Sequence, residues 1–442
     1  MELKALLEDL ERLEGGAWSD RVLQSRHARG DGDRARHTAL LRLALENWLR
    51  HDWVLAARLR RRPRPRLRAA LRLGLLLLEE GRAAHAVLSS LLEALPSLSA
   101  AERGLVNGVL RGLLREDQPL APLPAPHPPV SPEERARLAT ALSLPPWFLD
   151  LLEGIEGPGL LTPRRLAALR DELFPGRGLW LRVNLARWSA DEALQDLAAR
   201  GLEPEPAPEC AAFIRLGRPP LEGLDALPPL ADGRLRVQDL SAWGALALLE
   251  ARPGERVLDL CAAPGGKSLA LLDFHPGIRL TAVEADAGRA RALARRLGGM
   301  AELIVADARG LEGSWNRVLA DLPCSGSGSV GHRPDILQKE DPVRPELLEL
   351  QAGLLARAAD LTAPGGRLVL STCSLDPREN GGQAARLLAA RPDLAARPDL
   401  TPPSCRDESG GWRWLPWSRL DGRLGGRPGA GGAWALALDR LA

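Results

Sequence analysis

Apolar residues recur every three or four positions from Met1 to about Asp117, as along Asp33 to Leu49 and Leu71 to Leu78, and this spacing predicts a bundle of amphipathic helices. The pattern stops at Pro119 to Pro132, a proline-rich stretch that cannot continue a helix and reads as a linker. Beyond it, Glu133 to Leu144 reads as helix, Leu179-Trp-Leu-Arg-Val-Asn184 as strand and Ala190 to Arg200 as helix, with shorter extended pieces to about Leu235. These form a small α/β subdomain over 133–237. From about Gln238 the rhythm becomes strand, loop, helix: Arg256 to Cys261, Leu280 to Glu284, Glu302 to Asp307, Arg317 to Asp321 and Arg367 to Cys373 are extended, with helices at Ala287 to Leu297 and Glu346 to Leu361 among them. That alternation predicts a Rossmann-like α/β domain over 238–442, a parallel sheet covered by helices on both faces, whose ligands bind beyond the carboxyl ends of the strands.

The 442 residues allow two or three domains, each with its own core. Leu67 to Leu78 is the most apolar run, but Arg68 and Arg72 interrupt it well short of the roughly 20 residues a membrane helix needs. The start, Met1-Glu-Leu-Lys-Ala5, lacks the order of a secretion signal, so a cytoplasmic, membrane-free protein is expected, with its five cysteines reduced. No CxxC pair occurs, which points away from a metal site. The net charge of +2 hides an asymmetry: 21 Lys and Arg stand against 16 Asp and Glu in the first 118 residues, placing the positive field at the front. Only Lys4, Lys267 and Lys339 are lysine among 59 cations, so a lysine in a glycine-rich loop stands out.

That loop is Cys261-Ala262-Ala263-Pro264-Gly265-Gly266-Lys267-Ser268, between the first strand of the domain and a helix whose exposed N–H groups await a ligand. A Walker A loop would need Gly in place of Cys261, and GxGxxG is absent, so nucleotide kinases and dinucleotide dehydrogenases are disfavoured. Glu284 ends the next strand, suited to ribose hydroxyls, and Asp307 ends the third, suited to an adenine amino group. This set fits S-adenosylmethionine, which has ribose and adenine but no phosphate; the alternative is that both acids only cap the following helices. Two cysteines then sit just past strands, in Asp321-Leu-Pro-Cys324-Ser and Ser371-Thr-Cys373-Ser. Cytosine C5 becomes nucleophilic only after a thiolate adds at C6, and a pair of cysteines at the cofactor crevice fits that chemistry. Lys267 can favour a thiolate or bind a carbonyl oxygen, and Asp321 can hydrogen-bond N3 or the exocyclic amine, although Lys267 also suits a plain helix start. Cys210 and Cys405 read as buried small hydrophobes.

Together, Asp259-Leu-Cys-Ala-Ala-Pro-Gly-Gly-Lys267, Asp321-Leu-Pro-Cys-Ser325 and Ser371-Thr-Cys-Ser374 closely resemble the Sun/Fmu-type RNA cytosine-5 methyltransferases, the RsmB-like enzymes of bacteria. Arg236-Val-Gln-Asp-Leu-Ser-Ala242 resembles the family's segment before the first strand, and Arg182-Val-Asn184 its upstream RNA-binding subdomain. Pro65 to Gly74 and Gly104 to Arg111 resemble the NusB-like helical domain carried by the 16S branch, here 1–118. The resemblance implies a class I methyltransferase sheet, with Cys373 as the C6 nucleophile and Cys324 assisting product release. It also implies that Cys261 to Lys267, Glu284, Asp307 and Asp321 line the S-adenosylmethionine pocket, and that a monomer acts on ribosomal RNA. The chain departs from the family at Gly331-His-Arg-Pro-Asp-Ile336, where two arginines usually precede His-Pro-Asp, and at Leu337-Gln338 in place of Lys-Trp, so an RNA-facing cation is expected to be moved or lost. Leu370 stands where tyrosine is usual.

Arg58 to Arg68 holds seven arginines in eleven residues, suited either to phosphate contacts or to a solvated turn. Trp180 and Trp188 suit base stacking or core packing. The competing readings are a tRNA or 23S RNA methyltransferase, a catalytically decayed RNA-binding factor and a DNA cytosine-5 methyltransferase; the last would leave Cys373 without a role.

Overall fold

Leu67 to Leu78 becomes the buried middle of a helical unit. In the computed structural model, which describes residues 2–17, 19–27, 34–115, 131–157, 161–174, 178–217, 224, 227–417 and 430–442, the helix Pro65–Glu79 is buried at Leu67 and at every position from Ala69 to Leu77. A helix apolar on all sides is stable only when other helices cover it. Glu2–Glu14, Arg34–Glu46, Trp48–Ala56, Ala84–Ala94 and Ala100–Arg115 do so, in one continuous core. Arg72 tolerates 1 % exposure there because its guanidinium forks onto Asp52 with two 2.7 Å bonds and lies 3.8 Å over the Trp48 ring. The linker expected at 119–132 lies almost wholly outside the described residues.

The chain divides into two compact units, one of residues 1–171 with 332–340 and one of 172–331 with 341–442. The helices Pro132–Ala141 and Pro146–Glu156 therefore belong with the helical bundle, and the expected subdomain 133–237 is shared between the units. The segment 332–340 is built into the first unit. Asp335, 2 % exposed, accepts hydrogen bonds from the backbone N (3.1 Å) and Oγ (2.6 Å) of Ser19, at the positive end of the helix Ser19–His27. Ile336 and Leu337 are buried, Gln338 donates to the carbonyl of Leu45, and Trp147 donates to that of Lys339. Leu337 is thus a buried residue of the helical unit.

The second unit holds two sheets. Four short strands, β1 (Leu179–Val183), β2 (Pro204–Pro206), β3 (Phe213–Leu216) and β4 (Leu235–Val237), pair antiparallel in the order β2-β3-β1-β4. The larger sheet contains β5 (Arg256–Asp259), β6 (Arg279–Glu284), β7 (Glu302–Val305), β8 (Trp315–Asp321), β9 (Thr362–Thr372), β10 (Leu394–Ala396), β11 (Trp412–Trp414) and β12 (Ala433–Arg440). Its order is β10-β12-β9-β8-β5-β6-β7, with β11 paired to β12. The run β9-β8-β5-β6-β7 is parallel, as the alternation predicts. The sheet is nevertheless mixed, because β12 enters antiparallel beside β9 and carries β10 and β11 with it. Strand order reverses at β5, whose neighbours are β8 and β6, and a crevice opens beyond the carboxyl ends at such a switch point.

The Arg182-Val-Asn184 segment and Trp180 are buried, and for Trp180 core packing is the role realised. Arg182 is fully buried and donates to Asp273 Oδ2 (2.7 Å) and Gln238 Oε1 (2.5 Å). Asn184 donates to the other oxygen of Asp273 at 2.8 Å, and Arg236 adds a 2.9 Å bond to Oδ2. Asp273 lies on the helix Gly266–Phe274, so these residues brace the helix that begins with the glycine-rich loop. Trp180 is 3 % exposed in an apolar cluster, and Trp188 is half-buried with the Arg234 guanidinium 4.5 Å over its ring.

Candidate active site

The switch-point loop runs from Cys261 to Lys267. Gly265 caps the helix Gly266–Phe274 with φ +97°, and a Cβ there would meet Leu293 Cδ1 at 2.7 Å, so only glycine fits. Two arginines missed in the sequence clamp the loop carbonyls: Arg289 donates to Ala263 O (2.6 Å) and Arg296 to Pro264 O (2.9 Å). The Cys261 thiol is pushed up to about 12 by burial and the nearby carboxylates, which leaves it an inert lining group.

Asp259, at the end of β5, was also missed as a site residue. Its Oδ2 accepts from Ser268 Oγ at 2.6 Å, whereas its Oδ1 is buried with no hydrogen-bond partner among the described residues. Burial pushes its carboxyl up to about 7, against the Ser268 hydrogen bond. A buried acceptor without a partner is costly, and a bound ammonium group would satisfy it. Glu284, 5 % exposed at the end of β6, accepts from the backbone N of Asp286 at 2.9 Å. Asp307 is half exposed beyond β7; it caps Arg309 N at 3.0 Å, and a forked pair with the Arg309 guanidinium holds its carboxyl down to about 2. The capping role is therefore realised, and the exposed carboxylate edge remains open to solvent. Beside these acids, Val305 is an apolar side chain left 53 % exposed, with Ala285 also exposed.

Across the switch point, β8 ends in Asp321 and β9 in Thr372, and the two cysteines that follow meet: Cys324 Sγ and Cys373 Sγ lie 3.3 Å apart. Lys267 reaches across from the loop to Asp321 Oδ2 at 2.8 Å. Burial works against the Lys267 charge, but Asp321 overcomes it and holds the ammonium above the usual lysine range. All four side chains singled out in the sequence therefore converge. Their electrostatics also divide the thiols. The hydrogen bond with Cys324 holds Cys373 below the usual thiol range despite burial, with Lys267 and Ser329 adding to the effect. The same contact and burial push Cys324 well up, and the charges of Glu379 and Asp321 reinforce the shift. Of the two thiols, Cys373 is therefore the one more readily ionised. Cys210, half-buried with its thiol raised by burial, and Cys405, 6 % exposed, lie in apolar clusters. Among the described residues no three His, Cys, Asp or Glu side chains are grouped to hold a metal, and no helix is long and apolar enough to cross a membrane.

Comparison with known proteins agrees with this geometry. Residues 246–408 match the family model of the 16S rRNA methyltransferases RsmB/F, a span containing the loop, the acids and both cysteines. Ribosomal RNA small subunit methyltransferase B of Klebsiella pneumoniae (strain 342) is 34% identical over 332 residues, 72% of each chain, and that of Salmonella paratyphi C (strain RKS4594) is 32% identical over 329 residues, again 72% of each. The crystal structure of PH0851 shares the fold over 99% of this chain and 98% of its own, with a TM-score of 0.78 at 22% identity. NSun6 from Pyrococcus horikoshii, solved with SFG, covers 68% of this chain and 99% of its own, with a TM-score of 0.54 at 17% identity. The chain belongs to the RsmB/F family of 16S rRNA methyltransferases.

Proposed function

We propose that this protein methylates carbon 5 of a cytosine in ribosomal RNA, most directly 16S RNA, through a covalent bond between Cys373 and C6. The observation that carries the reading is the pair of facing thiols, 3.3 Å apart, beside the Lys267–Asp321 ion pair. The cofactor residues fit S-adenosylmethionine: Asp259 Oδ1 lacks the partner that an amino-acid ammonium provides, Glu284 suits ribose hydroxyls, Val305 and Ala285 offer apolar surface to adenine, and Asp307 its amino group. When bound, S-adenosylmethionine supplies the electrophilic methyl group that C5 takes up.

The protein's own part begins with the Cys373 thiolate, whose sulfur lone pair forms the bond to C6 while the C5–C6 π pair moves toward C5. Asp321 hydrogen-bonds the N3 edge, and Lys267 faces the charge that builds on the ring. Adduct formation then changes Cys324. The thiolate that kept it protonated has become a neutral thioether, so Cys324 is easier to ionise; once it has released its own proton to solvent, the Cys324 thiolate can take the C5 proton. The electrons of that C–H bond rebuild the C5–C6 double bond as the Cys373 sulfur leaves as thiolate. All these side chains come from one chain, so a monomer suffices, and the cytoplasm keeps both thiols reduced.

The direct test supplies the protein with tritiated S-adenosylmethionine and unmethylated 16S, 23S or transfer RNA. We expect label as 5-methylcytosine in 16S RNA, at one position by bisulfite sequencing. Label in 23S or transfer RNA would reassign the substrate, and RNA binding without label would support the decayed-factor reading.

The helical unit contributes RNA affinity under this reading. In the arginine cluster Arg58, Arg64 and Arg68 are engaged by Val54 O, Glu102 and Glu14, whereas the exposed Arg60, Arg61 and Arg62 have no carboxylate partner among the described residues. Replacing those three with alanine should leave cofactor binding intact and flatten the salt dependence of RNA binding by about 2 in the slope of log K against log salt. Filter binding across salt concentrations measures the slope, and an unchanged value removes these arginines from the interface.

A further inference from the structure

The nucleophile is held by hydrogen bonds that converge on a residue the reaction scheme does not use. Glu379 is fully buried just after the Thr372-Cys373-Ser374 turn. Its Oε1 accepts from the backbone N of Ser325 (2.8 Å) and from Gln351 Nε2 (2.9 Å). Its Oε2 accepts from Ser325 Oγ and Ser374 Oγ, each at 2.5 Å. Ser325 follows Cys324 and Ser374 follows Cys373, so one carboxylate holds the residue after each cysteine. The remaining backbone is fixed by neighbours of the same network: Gln351 Nε2 also donates to Pro323 O (2.9 Å), and Gly328 N donates to Cys373 O (3.0 Å).

Such an arrangement is expensive unless every acceptor site is filled, because a buried carboxylate gains stability only from donors supplied in the right places. Here four donors are supplied, three of them from the two serines. A glutamine would keep the shape but present an amide donor where donors already point. An alanine would leave both loops without a common anchor.

We propose that Glu379 is a positioning residue that sets the 3.3 Å approach of Cys324 to Cys373 by tying Ser325 and Ser374 to one carboxylate. The inference rests on the two-thiol reading above and adds to it a reason why the thiols meet. Contact between the sulfurs is the largest influence lowering Cys373, and the Glu379 charge itself helps keep Cys324 protonated. Loosening the anchor therefore has opposite effects on the two thiols: Cys373 rises toward an ordinary thiol and Cys324 falls toward one.

The test uses the full chain without RNA or cofactor, so its outcome does not depend on what the protein methylates. Iodoacetamide labelling of each cysteine is followed by peptide mass spectrometry as a function of pH. In the unmodified chain we expect Cys373 to label with a midpoint below that of Cys324. In Glu379→Gln the gap should narrow, with labelling of Cys373 near neutral pH slowed by about tenfold for each unit its midpoint rises. Ser325→Ala and Ser374→Ala keep the carboxylate and remove one arm each; both should shift the midpoints in the same direction by less, and they keep the proposal testable if Glu379→Gln does not fold. Glu379→Asp should recover part of the gap. Midpoints unchanged in a folded Glu379→Gln chain, or in both serine variants, would overturn the proposal, even if methyl transfer had been confirmed. Shifted midpoints in a chain that makes no 5-methylcytosine would uphold it and fault the functional reading instead.

Discussion

Cys373→Ser should lower methyl transfer by about ten-thousand-fold or more while cofactor binding stays unchanged, because removal of a nucleophile that acts in concert with its neighbours removes most of the chemical rate. Serine fills nearly the same volume, but its hydroxyl is far less acidic than a thiol, so neither Cys324 nor Lys267 can make it an anion near neutral pH. The pH profile carries the same information in wild-type protein. Cys373 is held below the usual thiol range, and only its thiolate attacks, so the rate should rise with pH through that lowered value and then level off. Lys267→Gln removes a cation that favours the thiolate, so the rising limb should move to higher pH, with about tenfold less activity below it for each unit moved. Single-turnover rates with 16S RNA at several pH values measure both effects. Full activity in Cys373→Ser, or a pH limb unmoved by Lys267→Gln, would remove Cys373 from the nucleophile's place.

How much of this was readable beforehand depends on where each signal lies. The parallel strands were legible because each is a short apolar run followed by a turn, and the candidate residues follow those strands: Lys267, Asp321, Cys324 and Cys373 were all singled out, and Lys267 meets Asp321 while Cys324 meets Cys373. The antiparallel β12 was missed because it lies after the last motif, with nothing local to say which strand it pairs with. Glu379 escaped for a related reason. A lone glutamate in Asp-Pro-Arg-Glu-Asn reads as a solvated turn, and its role exists only because Ser325, 54 positions away, turns its N–H and hydroxyl toward it. Asp259 was quoted inside a motif but given no task, since only burial shows that one of its oxygens lacks a partner. At 332–340 the motif comparison points only to a moved or lost cation; that Asp335, Ile336 and Leu337 are buried in the helical unit depends on residues far away in the chain and shows only in the structure. Gly331 has a local reason too: a Cβ would meet Leu173 O at 2.6 Å, so an arginine there would need the backbone to move.

Cys324→Ala should trap the protein on its RNA. The variant keeps the Cys373 nucleophile, so attack at C6 and uptake of one methyl group still proceed, but the group placed to take the C5 proton is gone. Without that proton transfer the C5–C6 double bond cannot reform and the carbon–sulfur bond has no easy route to break. The expected result is a burst of about one methyl group per protein, then turnover slowed by about a hundred- to ten-thousand-fold, the range for loss of a general base. A band of protein joined to RNA should survive denaturing electrophoresis. Forming it should need a higher pH than the wild-type reaction, because Cys324 also supplies the hydrogen bond that lowers Cys373, so the trap should fill faster as the pH is raised. The DNA-type alternative predicts the reverse: if Cys324 were the nucleophile, its alanine variant would form no adduct at any pH, and Cys373→Ser would be the one that still attaches. If Cys324 only fills space beside Cys373, the variant turns over without accumulating adduct and loses activity mainly at low pH. A trapped complex that forms faster as the pH rises, and that is absent in the double variant with Cys373→Ser, is therefore the outcome that assigns attack to one thiol and release to the other.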